Sequence, residues 1–223
     1  MGKARKLGIA AGVLGPPGLL LLIGTAVGLW TGFHGSTVSS DRMSPTYTEG
    51  RQLVYERVDG TEVRRGDVVL YTAPERYHFD GAVMQRVIGV GGDHIVCCTG
   101  EEAHERLTLN GKPLDEPYVS EGIADGTHQP YDVKVPEGRL FLLGDHRTNS
   151  LDSRFFADDH GGTVPVGSVL GRVTDDHTVP VLLGLGALVG LLVGLTGLGL
   201  GIAALAVRQR KPVPARPPWM AQV

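Results

Sequence analysis

Eleven residues, Gly144 to Arg154 (GDHRTNSLDSR), crowd together the side chains most able to do chemistry: Asp145, Arg147, Asn149, Ser150, Asp152 and Arg154. They follow the apolar run Leu140-Phe141-Leu142-Leu143. One use of such a stretch is a polar loop leaving a buried strand, because Asp, Asn, Ser and Gly favour turns by bonding nearby backbone. The other use is a site. Function cannot rest on one loop, so the remaining elements must bring partners to it.

Those elements read as short strands. Gln52–Tyr55, Val68–Tyr71 after the turn Arg65-Gly66-Asp67, and Ala82–Val90 ended by Gly91-Gly92-Asp93 are β-branched or apolar runs bounded by turn residues. Leu107-Thr108-Leu109 meets Asn110-Gly111, the strongest hairpin signal in the chain. Residues 113–118 and 121–130 read as loops, and strands return over 133–143 and 163–173. Small and polar residues from Gly35 to Ser40 lead into Asp41-Arg42-Met43-Ser44-Pro45-Thr46, where Pro45 disfavours helix. Repeated short strands without a 3.6-residue period predict a mainly β domain over 35–177.

Both ends differ from this domain. No charged residue occurs from Leu7 to Phe33, Lys3, Arg5 and Lys6 stand just before it, and the stretch exceeds the about 20 residues that span a bilayer. Gly15-Pro16-Pro17-Gly18 breaks its early part, so a transmembrane helix is expected over 17–33, after a cytoplasmic tail and the start of the apolar segment at 1–16. A cleaved signal peptide is the competing reading, but its apolar core is usually only about 7–15 residues. A second uncharged run predicts a helix over 179–207, and Arg208, Arg210, Lys211 and Arg216 mark 208–223 as a cytoplasmic basic tail. The expectation is a multi-pass protein of the cell membrane with lipid around both helices and the bulk of the chain on the extracytoplasmic side. Seven glycines between Gly184 and Gly201 either pack the second helix on a partner helix or reflect composition alone.

Three of the 21 basic residues precede the first span and four follow the second, whereas all 24 acidic residues lie between, giving the outer segment about −10. That argues against nucleic acid as a partner, since phosphate binding needs clustered Lys and Arg. The only cysteines, Cys97 and Cys98, lack the spacing of a zinc site, and no metal or cofactor is expected. They read as opposite faces of one strand, with a vicinal disulfide as the minor alternative.

Ser40–Thr46, Arg65–Leu70, Gln85–Asp93 and Gly144–Arg154 occur in the order of four motifs of the type I signal peptidase family, which the chain thereby resembles. Asn110–Tyr118 and Val135-Pro136-Glu137-Gly138 are also typical of it. The resemblance implies a membrane-anchored, coiled β-sheet domain that removes signal peptides from exported preproteins. It also implies a serine nucleophile directly before Met43 and a lysine base directly before Arg86. Here those positions hold Arg42 and Gln85. Arginine stays protonated and a glutamine amide has no useful basicity, so no catalytic residue of the dyad is intact. By the same resemblance Ser40 supports the oxyanion, Ser150, Asp152 and Arg154 hold the base and the site, Arg86 and Asp145 support them, and Met43 and Pro45 border the substrate groove. The expected protein has lost catalysis and binds signal peptides or preproteins; the alternatives are a rearranged active peptidase, with His78 or His146 as base, and a structural membrane partner whose groove Arg42 blocks. Arg42 is expected to pair with Asp145 or Asp152, because an unpaired buried charge costs several kcal/mol.

Overall fold

A computed structural model describes residues 2–100, 105–127 and 130–209. The chain forms two compact units, one built from the two terminal helices and the other from residues 32–177.

In the first unit, α1 (Gly2–Gly32) and α3 (Thr178–Gln209) are both long and apolar enough to cross a membrane. Helix α1 does not begin at Pro17: it runs through Pro16 and Pro17. A proline inside a helix removes one hydrogen bond and crowds the carbonyl four residues back, which is why these two read as a break. Arg210, Lys211 and Arg216 lie outside the described residues. The glycines of α3 have a partner after all, since a β-carbon at Gly190 would fall 2.5 Å from the Leu22 nitrogen, and one at Gly18 2.4 Å from the Gly194 nitrogen. The helices touch backbone to backbone there, which only glycine allows.

The second unit is mainly β. Strands β1 (Phe33–Thr37), β2 (Gln52–Glu56), β3 (Val68–Tyr71), β4 (Val83–Val90), β9 (Arg139–Leu143), β10 (Val164–Pro165) and β11 (Val169–Thr174) make one antiparallel sheet in the order β1-β2-β11-β3-β4-β9-β10. A smaller sheet, ordered β7-β6-β5-β8, contains β5 (His94–Thr99), β6 (Arg106–Leu109), β7 (Lys112–Pro113) and β8 (Tyr131–Lys134). One helical turn, α2 (Pro74–Tyr77), lies between β3 and β4.

Both faces of the large sheet's centre are covered, which explains why β9 reads as an unbroken apolar run. Leu140 and Leu142 join Val69, Tyr71, Val83 and Val87 in one cluster, whereas Phe141 and Leu143 turn to Ile88, Ile95 and Leu107 beneath the small sheet. A third cluster, Val38, Met43, Tyr47, Leu53, Val68, Leu70 and Val173, fills the end of the large sheet nearest β1. Alternation along β4 therefore sends Gln85 toward the Val69–Tyr71 cluster and Arg86 to the opposite face.

Cys97 and Cys98 are joined as a vicinal disulfide rather than facing apart. The β5–β6 register shifts between Val96 and Thr99, and both side chains pack on the Ile95–Leu107 cluster. An irregularity of this kind re-aims side chains that strict alternation would separate.

Candidate functional site

The loop after β9 is held by charge pairs that reach far along the chain. Arg86 on β4 donates from Nε to Asp145 Oδ1 at 2.8 Å and from Nη2 to Oδ2 at 2.5 Å, and a third bond runs from Nη1 to the Gly66 carbonyl. The Thr46 hydroxyl donates to the same carboxylate, and the Tyr118 ring lies 4.0 Å from the guanidinium carbon. Burial alone would pull the Arg86 pKa down; the bonds to Asp145 and its charge outweigh this and raise it. A bidentate pair of this geometry is among the stronger polar contacts a protein makes.

Arg154 donates from Nε to Asp152 Oδ1 at 2.8 Å and from Nη1 to Asp125 Oδ1 at 2.6 Å, with all three side chains buried. Asp152 also accepts from the Gly144 amide, so the loop's two ends are tied together. Burial disfavours ionised Asp125, but Thr127 and Arg154 more than offset it and hold the carboxyl below its usual range. Arg147, fully buried, donates to the Gly144 and Ala124 carbonyls and to Glu116 Oε1 at 2.6 Å. Glu116 and Asp125 come from the two stretches that the sequence presents only as loops. The signal that could have found them is charge balance: Asp145 and Asp152 go to Arg86 and Arg154, leaving Arg147 in need of a remote carboxylate.

Gln85 is fully buried and both ends of its amide are engaged. The Tyr71 hydroxyl donates to Oε1 at 2.6 Å, while Nε2 donates to the Leu151 carbonyl at 2.8 Å. Tyr77 lies 2.8 Å from the Tyr71 hydroxyl. Burial, with the neighbouring Tyr77, pushes the Tyr71 phenol far up, so it remains a neutral donor to Gln85 at any physiological pH. Next to Leu151, Ser150 is buried with its hydroxyl unpartnered among the described residues. It sits against Gly144, where a β-carbon would come within 2.2 Å of Ser150 Oγ and 2.7 Å of the Arg42 carbonyl. Glycine is required at this crossing because a side chain would collide with Ser150 and with the Arg42 backbone.

On the far side of that crossing a cleft of about 240 Å³ opens in the β unit. Val38, Met43, Leu53, Leu70 and Met84 give it apolar walls, and Ser36, Thr37, Ser40 and Arg42 supply its polar groups. Arg42 is half-buried, and its main chain is pinned where its carbonyl accepts from the His146 amide at 3.0 Å. Its guanidinium pairs with no carboxylate among the described residues. The expected pairing with Asp145 or Asp152 is absent because Arg86 and Arg154 already saturate those carboxylates. Pro45 does not border the cleft either. It is exposed on a tight turn closed by Ser44 N–H to Asp41 and Tyr47 N–H to Met43. Met43 and Ser40 do line the cleft, as does Val83, two residues before Gln85 on β4. His146 Nδ1 stands 3.3 Å from the Asp41 carbonyl, and among the described hydrogen bonds neither it nor His78 reaches a serine.

Neither of the two dyad positions offers a proton acceptor. An amide locked at both ends takes no proton, and a guanidinium is no nucleophile. Among the described residues the cleft combines apolar walls with a guanidinium that meets no carboxylate and with the hydroxyls of Ser36, Thr37 and Ser40.

A family model described as signal peptidase, peptidase S26, matches residues 17–175. Among curated proteins, the chain is similar to a signal peptidase I of Bacillus licheniformis, 36% identical over 134 residues that cover 55% of this chain and 66% of that one. It is also similar to a probable signal peptidase I of Mycobacterium leprae (strain TN), 34% identical over 138 residues covering 49% and 46% respectively. The chain thus spans between about half and two thirds of the length of these relatives. Among solved structures, a signal peptidase I from Enterococcus faecalis V583 aligns with 29% identity and a TM-score of 0.38, covering 51% of this chain and 97% of that one.

Proposed function

The chain belongs to the signal peptidase family, peptidase S26, and from that premise we propose that it is a membrane-anchored member that does not cleave, and that uses its cleft to hold signal peptides or exported-protein precursors. The single observation carrying this reading is Gln85: the position that the resemblance gives to the general base holds a fully buried amide, tied to Tyr71 and to the Leu151 carbonyl. Arg42 at the nucleophile position agrees with it. A hydroxyl–amine dyad acts as a unit, so losing either member removes most of the rate. The unpartnered Ser150 hydroxyl supports the same history, being the group that would otherwise receive an amine at position 85.

In this reading α1 and α3 cross the membrane as a hairpin, with domains as expected from the sequence: both tails cytoplasmic and residues 35–177 outside. The basic residues flanking each helix motivate it. Tags on each terminus and protease access in intact cells test it; a C-terminus digested from outside removes the hairpin.

Cleavage of a preprotein by detergent-solubilised protein tests the catalytic part. The native chain, Arg42→Ser and Gln85→Lys are each expected to be inactive, and the double variant at least about tenfold more active than either single, since serine lacks a base and lysine lacks a hydroxyl. A lysine serves only if burial keeps it neutral, and position 85 is buried. Robust native cleavage, abolished by Ser40→Ala or Ser44→Ala, would instead establish an active peptidase with a relocated nucleophile.

A further inference from the structure

We propose that Arg42 makes the cleft a receptor for the free C-terminal carboxylate of a peptide ending in a small residue, so that the ligand is a released peptide end and not an intact precursor. The inference rests on the non-cleaving reading and names the ligand class for the same cleft.

Three observations carry it. The first is charge. Arg51, Arg65, Arg76, Arg86, Arg147, Arg154 and Arg172 each meet a carboxylate, yet Arg42, half-buried and lining the cleft, meets none among the described residues. A partly desolvated guanidinium is a strong receptor for a carboxylate, which its planar fork can engage through two parallel bonds.

The second is position. A nucleophile directly before Met43 must face the carbonyl carbon of the last residue ahead of the bond to be cut. In a peptide already cut at that bond, this carbon is the carboxylate carbon. A residue at position 42 therefore faces the new chain end, and arginine there exchanges attack for ion pairing. An intact precursor presents a neutral amide at the same place and gains nothing from the charge. An acidic side chain in a passing segment hangs away from the main-chain path and meets position 42 only by distorting it.

The third is shape. At about 240 Å³ the cleft lies below the roughly 300–1,000 Å³ of ordinary ligand pockets. Its walls at Leu53, Leu70 and Met84 suit a small apolar terminal residue. Ser36 and Thr37 on its border belong to β1, the outermost strand of the large sheet, so an extended peptide can add its main chain along that open edge.

The test uses the full chain in detergent and fluorescence anisotropy with three labelled peptides of about ten residues, long enough to run along β1. One ends in alanine with a free carboxylate, the second is the same peptide amidated, and the third is amidated with glutamate as its penultimate residue. The free acid is expected to bind at least tenfold more tightly than both amides, and Arg42→Gln to erase that difference while Arg42→Lys keeps part of it. Equal binding of acid and amide overturns the carboxylate receptor but leaves peptide binding by a non-cleaving protein standing. Binding of the glutamate peptide as tightly as the free acid overturns recognition of a chain end. No binding of any peptide overturns this proposal and the binding function together, and is what an arginine that plugs the cleft predicts. The acid–amide comparison needs only the native chain, so it decides even if an Arg42 variant folds poorly.

Discussion

In the loop from Gly144 to Arg154 every guanidinium meets a carboxylate, and the one from β4 that enters it does too; across the Gly144 crossing, in the cleft, Arg42 meets none among the described residues. The two regions share a strand of backbone contact but follow opposite electrostatic rules. A fully buried charge must be compensated within the fold, because the cost of leaving it unpaired reaches several kcal/mol. A half-buried charge at a cleft keeps part of its hydration and can wait for a ligand. The contrast teaches that pairing in the loop answers full burial, whereas half-burial at the cleft leaves Arg42 free of that requirement.

The comparison can be broken most severely at Arg147. Arg147→Ala removes the partner of Glu116 and two carbonyl contacts in a dry interior, and is expected to cost about 3–5 kcal/mol. Urea unfolding of the detergent-solubilised protein measures it; a change below 1 kcal/mol would mean that the buried network is not what holds the loop.

Asp125→Asn should have a smaller effect, about 1–3 kcal/mol at neutral pH, from losing a charge-assisted bond to Arg154. It also carries a pH signature. The Asp125 carboxyl is held below its usual value in the folded protein, so its stabilisation is fully present above the unfolded pKa of about 3.9 and is lost as pH falls through the lower folded value. The variant should therefore show a shallower loss of stability between neutral pH and the acid limb, and an unchanged slope would remove Asp125 from the network.

Arg42→Ala sharpens the contrast from the other side. With no partner to abandon, it should shift stability by no more than about 0.5 kcal/mol, while abolishing the carboxylate preference of the cleft. A large destabilisation would reveal that the guanidinium serves the fold.

The strands over Gln52–Tyr55, Val68–Tyr71 and Ala82–Val90 were legible because β-branched runs bounded by turn residues have few other uses, and observed bounds differ from them by at most a residue. Strand β1 was not: Phe33–Thr37 has no apolar alternation, and it is a strand only because β2 pairs with it along all five residues. The prolines at 16 and 17 read as a break, yet the helix passes through them.

By itself the sequence determined the mainly β domain between two apolar helices, the family, and which residues stand at the two dyad positions. These follow from local composition and ordered motifs. Only the tertiary structure decided which way those residues turn. Gln85 finds Leu151 66 residues away, Arg147 finds Glu116 31 residues away, and the Arg42 guanidinium meets no carboxylate among the described residues, because strand register and two covered sheet faces set these distances and no local pattern encodes them.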